Sequence, residues 1–570
     1  MPRRSRKPFL LLALLPAFFL LRPATAAAAP QITKIFPAGG QQGHTLDADL
    51  NGVGLLDVRQ ILLSGEGVTV EMLPPSPRRI CPVRFTLAAN AEPGEREIRV
   101  VTSTGVSNAG HFWVGLYPDQ REQEPNDAPG SAQSLVHLPA AINGALQQPQ
   151  DVDCYGFTGV AGETWVFQMA SARYHSATDG CLSLVDGHGK HLRTAMDTFG
   201  RDPRLVYTLP ATGRYTLRVC DSLYRGGAGF TYRVTVGKLP VITRWSPLAG
   251  QRGERLRVTL QGVNLAPGLS EEVQLPTDPT RNVSLLVAPT PAGPAGPVPI
   301  FLESAPDVSE REPNNSRVTA TPLTSLPALA SGRIDENGDR DLFAFPAAEK
   351  QVVTLSVRAQ RLGSRLDPVL RVLDAAGKEV AANDDAVGKD ARVTFTAPTA
   401  GQYFAELRSV SSVGGDEYYY LLRIGGPPPA DFRLAITPDS LTVPAGAAVA
   451  GTLRATRTGY NGPISVRVEG LPAGVTASPI SLGVGESSTV FTLSAATGTT
   501  PAWGQLRVLG SAKIGAQDVE RVAVGEESYQ PVLTTTPKDQ RTGRPSYSPP
   551  PLVRSRSSPL LCLPDRWRCR

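Results

Sequence analysis

The chain has 570 residues, with 55 glycines and 52 prolines, which leaves room for several domains with their own cores and little for long helices. Its net charge of +5 is made at the ends: residues 1–29 contribute +5 and residues 538–570 contribute +6, leaving −6 on residues 30–537. A mildly acidic body lacks the basic footprint of a nucleic-acid binder, so no nucleic-acid partner is expected.

In chain order, residues 1–29 read as a signal peptide. Arg3, Arg4, Arg6 and Lys7 form a basic start, Phe9–Leu21 is an apolar run, and Ala24-Thr25-Ala26 fits a cleavage site. The apolar run is short of the about 20 residues that a membrane span needs; the competing reading is an uncleaved anchor. With no later run long enough to cross, the mature chain is expected to have no membrane span. It is expected to be secreted, in the periplasm or at the cell surface.

Beyond residue 30 almost everything reads as strand. Short alternating runs such as Thr164–Met169, Leu205–Leu209 and Tyr215–Val219 are separated by Gly, Pro and Asp turns. Two internal echoes organise them. Glu122–Gly237 recurs 188 positions later without insertion or deletion: Glu124-Pro125-Asn126 falls on Glu312-Pro313-Asn314, and Gly226-Gly227 on Gly414-Gly415. Ile32–Pro37 recurs 210 positions later as Ile242–Pro247, in a unit 22 residues shorter. The unit of duplication is a small β domain followed by a larger one. The expected domains are 30–118 (small), 119–238 (large), 239–305 (small, shortened), 306–426 (large) and 427–527 (a fifth sandwich), with 528–570 a disordered basic tail rich in Arg, Ser and Pro. The fold class expected is all-β, as tandem antiparallel β-sandwiches, immunoglobulin-like and jelly-roll-like, strung as a semi-rigid rod.

Six cysteines allow many pairings, but Cys154, Cys181 and Cys220 fall on Leu342, Val369 and Arg408 in the second copy. The large module therefore folds without a bridge at those places, and a disulfide there would be an accessory staple.

The strongest constellation is acidic. Glu122, Glu124, Asn126 and Asp127 open the first large module, and Asp151 and Asp153 precede a strand. Residues two apart in an extended segment share a face. Carboxylates gathered this way repel one another and suit a hard cation such as calcium, which takes six to eight oxygens. The second copy offers Glu310, Glu312, Asn314, Asn315, Asp339 and Asp341, with one carboxylate turned to amide, so a weaker site is expected there. The competing reading is a solvated linker turn, since Pro, Asn and Asp are common turn residues.

These residues carry resemblances. Ile32–Gly115 and Val241–Leu302 resemble immunoglobulin-like IPT/TIG domains, on the Pro-x-x-Gly turn and Gly262-Val263-Asn264-Leu265. The two large modules resemble the bacterial pre-peptidase C-terminal (PPC) domain, on Glu-x-Glu-Pro-Asn followed by Asp or Asn, the later Asp-x-Asp-x-Tyr/Phe-x-Phe, and the closing Gly-x-Tyr and Gly-Gly…Tyr strands. Collagenase-type relatives of that family bind calcium through a matching segment plus two later aspartates, so the resemblance implies calcium at the same twelve positions.

Phe230 and Tyr232 alternate in one copy and Tyr418 and Tyr420 in the other. Tyr232, Tyr418 and Tyr420 form a candidate surface for a polymer or sugar; the competing reading makes them sandwich core. Catalysis finds little support: His-Glu-x-x-His, Gly-x-Ser-x-Gly and Gly-rich phosphate loops do not occur. His188 and His191 flank a Gly-Lys turn whose second-copy partners are Ala376 and Glu379. The expected function is a secreted, non-catalytic protein that binds or spaces at the cell surface or in the extracellular matrix, its partner an extracellular polymer, cell-surface protein or glycan. The alternative is the accessory region of a secreted peptidase or other hydrolase whose catalytic domain lies elsewhere.

Overall fold

A computed structural model describes residues 29–75, 81–198, 200–278, 281, 283–303, 305, 307–427 and 430–525, with the backbone of 560–562. The expected signal peptide (1–29) therefore lies outside the described residues except at Ala29, and the tail (528–570) except at Leu560–Cys562. Those three residues depart from the expected structureless tail. They pair as a strand with Ser440–Thr442 and Trp503–Gln505, because short edge strands present backbone groups that a passing apolar run satisfies.

Apart from two single-turn 3-10 segments, Ala172–Tyr174 and Gln360–Leu362, the regular secondary structure of the described residues is all strand. None of its helices is long and apolar enough to cross a membrane. Alternation sets the faces. Along Arg255–Val263, Leu256, Val258 and Leu260 turn inward while Arg255, Arg257 and Thr259 stay exposed, each buried aliphatic contributing about 1.5–3 kcal/mol.

The first large module packs two five-stranded sheets. One runs Asp119–Arg121, Ala140–Ala145, Thr231–Gly237, Thr164–Ala170, Arg204–Thr208; the other runs Gln133–Ser134, Asp153–Gly159, Gly213–Asp221, Gly180–Asp186, His191–Ala195. Ile142, Phe167, Leu184, Leu217 and Val234 fill the space between them. The second large module, from Asp307–Ser309 to Tyr419–Gly425, repeats both orders strand for strand. The small units also pack two sheets each, and the second of them has only three strands per sheet. The fifth sandwich pairs a five-stranded with a four-stranded sheet.

Pairing is mainly antiparallel, but each large module opens with two short parallel edges. Asp119–Arg121 lies along Ala140–Ala145 in one sheet, and Gln133–Ser134 along Asp153–Gly159 in the other. The segment between them must cross from sheet to sheet over the open side of the sandwich. That crossing strap carries the acidic motif.

The expectation of a rod is corrected. Arg99 of the first small unit bonds Asp439 of the fifth sandwich, and Arg281 of the second small unit reaches Glu92 of the first at 2.6 Å. Tyr117 donates to the Pro294 carbonyl at 2.6 Å. Charged and aromatic side chains at sandwich ends, exposed in an extended array, bind each other when the chain doubles back.

Candidate metal centre

Strap 122–127 faces the loop that leads into strand Asp153–Gly159. Asn126 and Asp153 are fully buried, Asp151 nearly so, and Glu124 and Asp127 remain exposed. Glu122, Glu124 and Asp153 offer oxygens all within 4.8 Å of one another, and so do Glu124, Asp127 and Asp151. The amide end of Asn126 lies 3.2 Å from Glu124 Oε2 and 3.0 Å from Asp153 Oδ1. With its NH2 turned inward it donates to both; turned the other way, its carbonyl joins the oxygen set.

The backbone fastens the carboxylates from behind. Glu122 accepts from the Ala145 amide. Glu124 Oε2 accepts from Asn126 N at 2.9 Å, and Asp151 Oδ2 from Gln147 N at 2.5 Å. Tyr232 donates to Asp153 Oδ2 at 2.5 Å, with Tyr155 in contact behind it. Burial pushes the Asp153 carboxyl up to about 9; the charges of Glu122, Asp151 and Glu124 add to this and the Tyr232 hydrogen bond opposes it. Burial likewise raises Glu122 to about 7, against hydrogen bonds from Ala145 and Gln147. Crowded, desolvated carboxylates thus hold protons that a cation would displace.

The second copy repeats the frame. Glu310, Glu312 and Asp341 bring oxygens within the same 4.8 Å. Glu310 Oε1 accepts from Arg333 N at 2.8 Å, and Tyr420 donates to Asp341 Oδ2 at 2.6 Å. The Asn314 and Asn315 amides face Asp341 Oδ1 at 3.2 Å and Asp339 Oδ1 at 2.9 Å. Burial raises Glu310 to about 8 and holds Asp341 well above the usual carboxylate range. All twelve acidic and amide positions singled out in the sequence therefore lie in the two strap–loop clusters.

Sequence reasoning missed two members. Gln147 donates through Nε2 to Glu122 Oε1 at 3.2 Å and Glu124 Oε1 at 3.0 Å. Its partner 188 positions on is Asp335, whose charge raises Glu310 and Glu312 further. The carboxylate lost at Asn315 is thus regained at Asp335, but Arg244 Nη1 binds it at 2.9 Å. Gly144 and Gly332 are the other pair: a Cβ at either would collide with the tyrosine hydroxyl and with Glu122 or Glu310. Gly144 and Gly332 lay in the 188-residue register with no side chain to mark them, and Asp335 stood outside the repeated acidic pattern because its first-copy partner is the neutral Gln147.

The candidate aromatic surface is corrected for two residues. Tyr232 is 1% exposed and Tyr420 0%, because their hydroxyls are the donors to Asp153 and Asp341. Tyr418 is half-buried and packs on the core of its module. His188 and His191 sit exposed at a turn capped by Asp186 Oδ1. Cys81, Cys154, Cys181 and Cys220 are buried thiols, with Cys181 directly opposite Cys220 across two strands; Cys562 and Cys569 have no described side chains.

Set beside known proteins, the chain matches no family model. Over 163 residues it is 31% identical to a probable subtilase-type serine protease of Deinococcus radiodurans, covering 27% of this chain and 21% of that protein. The chain thus spans about a fifth of the length of the curated relative it matches. Among solved structures, the pre-peptidase C-terminal domain of a Bacillus anthracis collagenase aligns at 17% identity with TM-score 0.16, over 18% of this chain and 93% of that one. The four N-terminal Ig domains of Dscam1 isoform 1.9 align at 9% identity with TM-score 0.17, over 87% and 97%. With superpositions this low, the architecture rests on its own sheet orders. The chain is a multi-domain all-β protein, part of which is similar to a stretch of a subtilase-type protease.

Proposed function

We propose that this is an exported, non-catalytic accessory protein whose two large modules are PPC-like, alternate with IPT/TIG-like units, and bind calcium at their straps. The carrying observation is the gathering of Glu122, Glu124, Asp127, Asp151 and Asp153 around the buried Asn126 amide. An all-oxygen set of this charge suits calcium, which supplies the positive charge that offsets the repulsion. The residues do the rest. Glu122, Glu124 and Asp127 come from the strap, and Asp151 and Asp153 from the loop and strand of the opposite sheet. Holding them together closes the open side of the sandwich and fixes the entry from the preceding small unit. Two modules on one chain then present a surface or polymer partner with two attachment points, which raises avidity without new contacts.

The test is calorimetric titration of the chelator-treated full chain with calcium, with a parallel melting scan. Two binding events and a rise in melting temperature are expected. Neither heat nor a melting shift at about millimolar calcium, the weak end of extracellular sites, would end the calcium reading.

The second reading is an accessory region of a secreted peptidase, favoured by the local match to the Deinococcus protease. Under it, a longer product of the same gene carries the catalytic domain. Mass spectrometry of the native secreted protein decides between the two by its length.

A further inference from the structure

Away from the acidic straps, a second cluster of metal-ligating side chains joins the first small unit to the first large module. Strands Gly94–Thr102 and Gly110–Gly115 pair so that Glu95 opposes Trp113 and Glu97 opposes His111. Phe112 and Val114 point into the core, which turns His111, Trp113 and Glu95 to the outer face of the sheet. The 3-10 turn Ala172–Tyr174 of the large module docks on that face. Tyr174 packs on Trp113 with ring centroids 4.8 Å apart, and His175 stacks on His111 at 3.8 Å. His111 Nδ1 lies 2.5 Å and His175 Nε2 3.5 Å from Glu95 Oε1. All three donor atoms fall within 4.8 Å of one another.

The duplication supplies an internal control. Trp113 opposes Gly39 as Phe301 opposes Ala249, and Glu95 opposes Trp113 as Val283 opposes Phe301. Glu95, His111 and His175 therefore correspond to Val283, Pro299 and Gly363. All three donors are present at one joint and replaced together at the other. His175 also adopts the left-handed conformation, φ 59°, where the second copy has Gly363 at φ 87°. That conformation favours glycine, so the first copy accepts backbone strain at the position that brings the second imidazole to Glu95.

We propose that Glu95, His111 and His175 form a zinc-class metal site that clamps the first small unit to the first large module. Two imidazoles and one carboxylate are a borderline-metal set, distinct from the all-oxygen straps, and three protein ligands leave a position for water. With bonds of about 2.0–2.1 Å, tetrahedral donors sit roughly 3.3 Å apart. The His175–Glu95 contact, at 3.5 Å, is already near that spacing, and the His111–Glu95 contact has to open from 2.5 Å to reach it.

The test uses the untagged full chain in saturating calcium, titrated with Zn2+ by calorimetry and with Co2+ by its visible absorption. One tight site per chain is expected. His175→Gly, the residue carried by the second copy, is expected to weaken it by about 100-fold while leaving the calcium-dependent melting shift unchanged. Glu95→Gln is expected to weaken Zn2+ in the same direction. Failure of the parent chain to bind Zn2+, or equal binding by His175→Gly, would overturn the proposal and leave a histidine–carboxylate contact only. Because calcium melting is read separately, this result stands apart from the fate of the strap reading.

Discussion

The two large modules share every strand and differ in where they put charge. In the first, Glu122 and Glu124 lean on the neutral amide of Gln147, and Asp127 completes the exposed rim. In the second, Asn315 has replaced Asp127 and Asp335 has replaced Gln147, so the carboxylate count is restored on the other side. There Asp335 is bound by Arg244, which also bonds Asp416. The same redistribution marks the joints. The first joins a small unit to its large module through imidazoles and a carboxylate; the second does so by sharing a core, with Leu329 and Leu421 packed among the residues of the small unit. Arg233, at the position of Leu421, instead bonds Asp119 and Asn143. A duplicated fold thus keeps its hydrogen-bonded frame and trades side chains at the straps and at the joints, the buried Arg233 and Leu421 position included.

The largest effect that could break this comparison is expected from Asp153→Asn, which is predicted to weaken calcium at the first strap by about 100-fold and leave the second untouched. Calorimetry resolving two events checks it; loss of both would mean that the sites are not separate. Gly144→Ala is expected to cost about 1–3 kcal/mol by overpacking against Tyr232 and Glu122, read by chemical denaturation, and to abolish first-site calcium as well.

A pH series probes the buried carboxyls. In chelator, Asp153 is raised from 3.8 to about 9 and Glu122 from 4.5 to about 7. The folded state therefore binds more protons than the unfolded one across that window. Stability is fully present below about pH 4 and lost as pH rises towards about 9. Calcium should remove most of that slope, so its melting shift is expected to be larger at pH 8 than at pH 5. An equal shift at both would argue that the carboxyls are not protonated in the metal-free fold.

The smallest effect expected is from Arg244→Ala, which frees Asp335 and should tighten second-site calcium by about fivefold. Weakening instead would show that Arg244 positions the site through the joint rather than competing with its cation.

Much of the architecture was legible in the chain. The 188-residue echo marked two modules with one strand order, and the runs Thr164–Met169, Leu205–Leu209 and Tyr215–Val219 fall on the strands Thr164–Ala170, Arg204–Thr208 and Gly213–Asp221. The acidic strap was legible too, because like charges at short spacing stand out. Gln147 was not, because one polar residue in a loop has no pattern until its neighbours are placed. Tyr232 and Tyr420 were misplaced as surface, since alternation alone does not tell a wet face from a buried hydroxyl that meets a carboxylate. Asp202 and Asp390 escaped notice as well: each takes three successive amides of a 3-10 turn, a role that no spacing announces.

By itself, the sequence determined the all-β class, the paired duplication and the twelve repeated acidic and amide positions, because strand period and repeated spacing are local properties written along one line. The tertiary structure alone decided the crossing strap between parallel edges, the doubling back through Arg99 and Arg281, and the meeting of His111 with His175. Those depend on which sheet edges and sandwich ends come together, and that is set by packing between residues far apart in the chain.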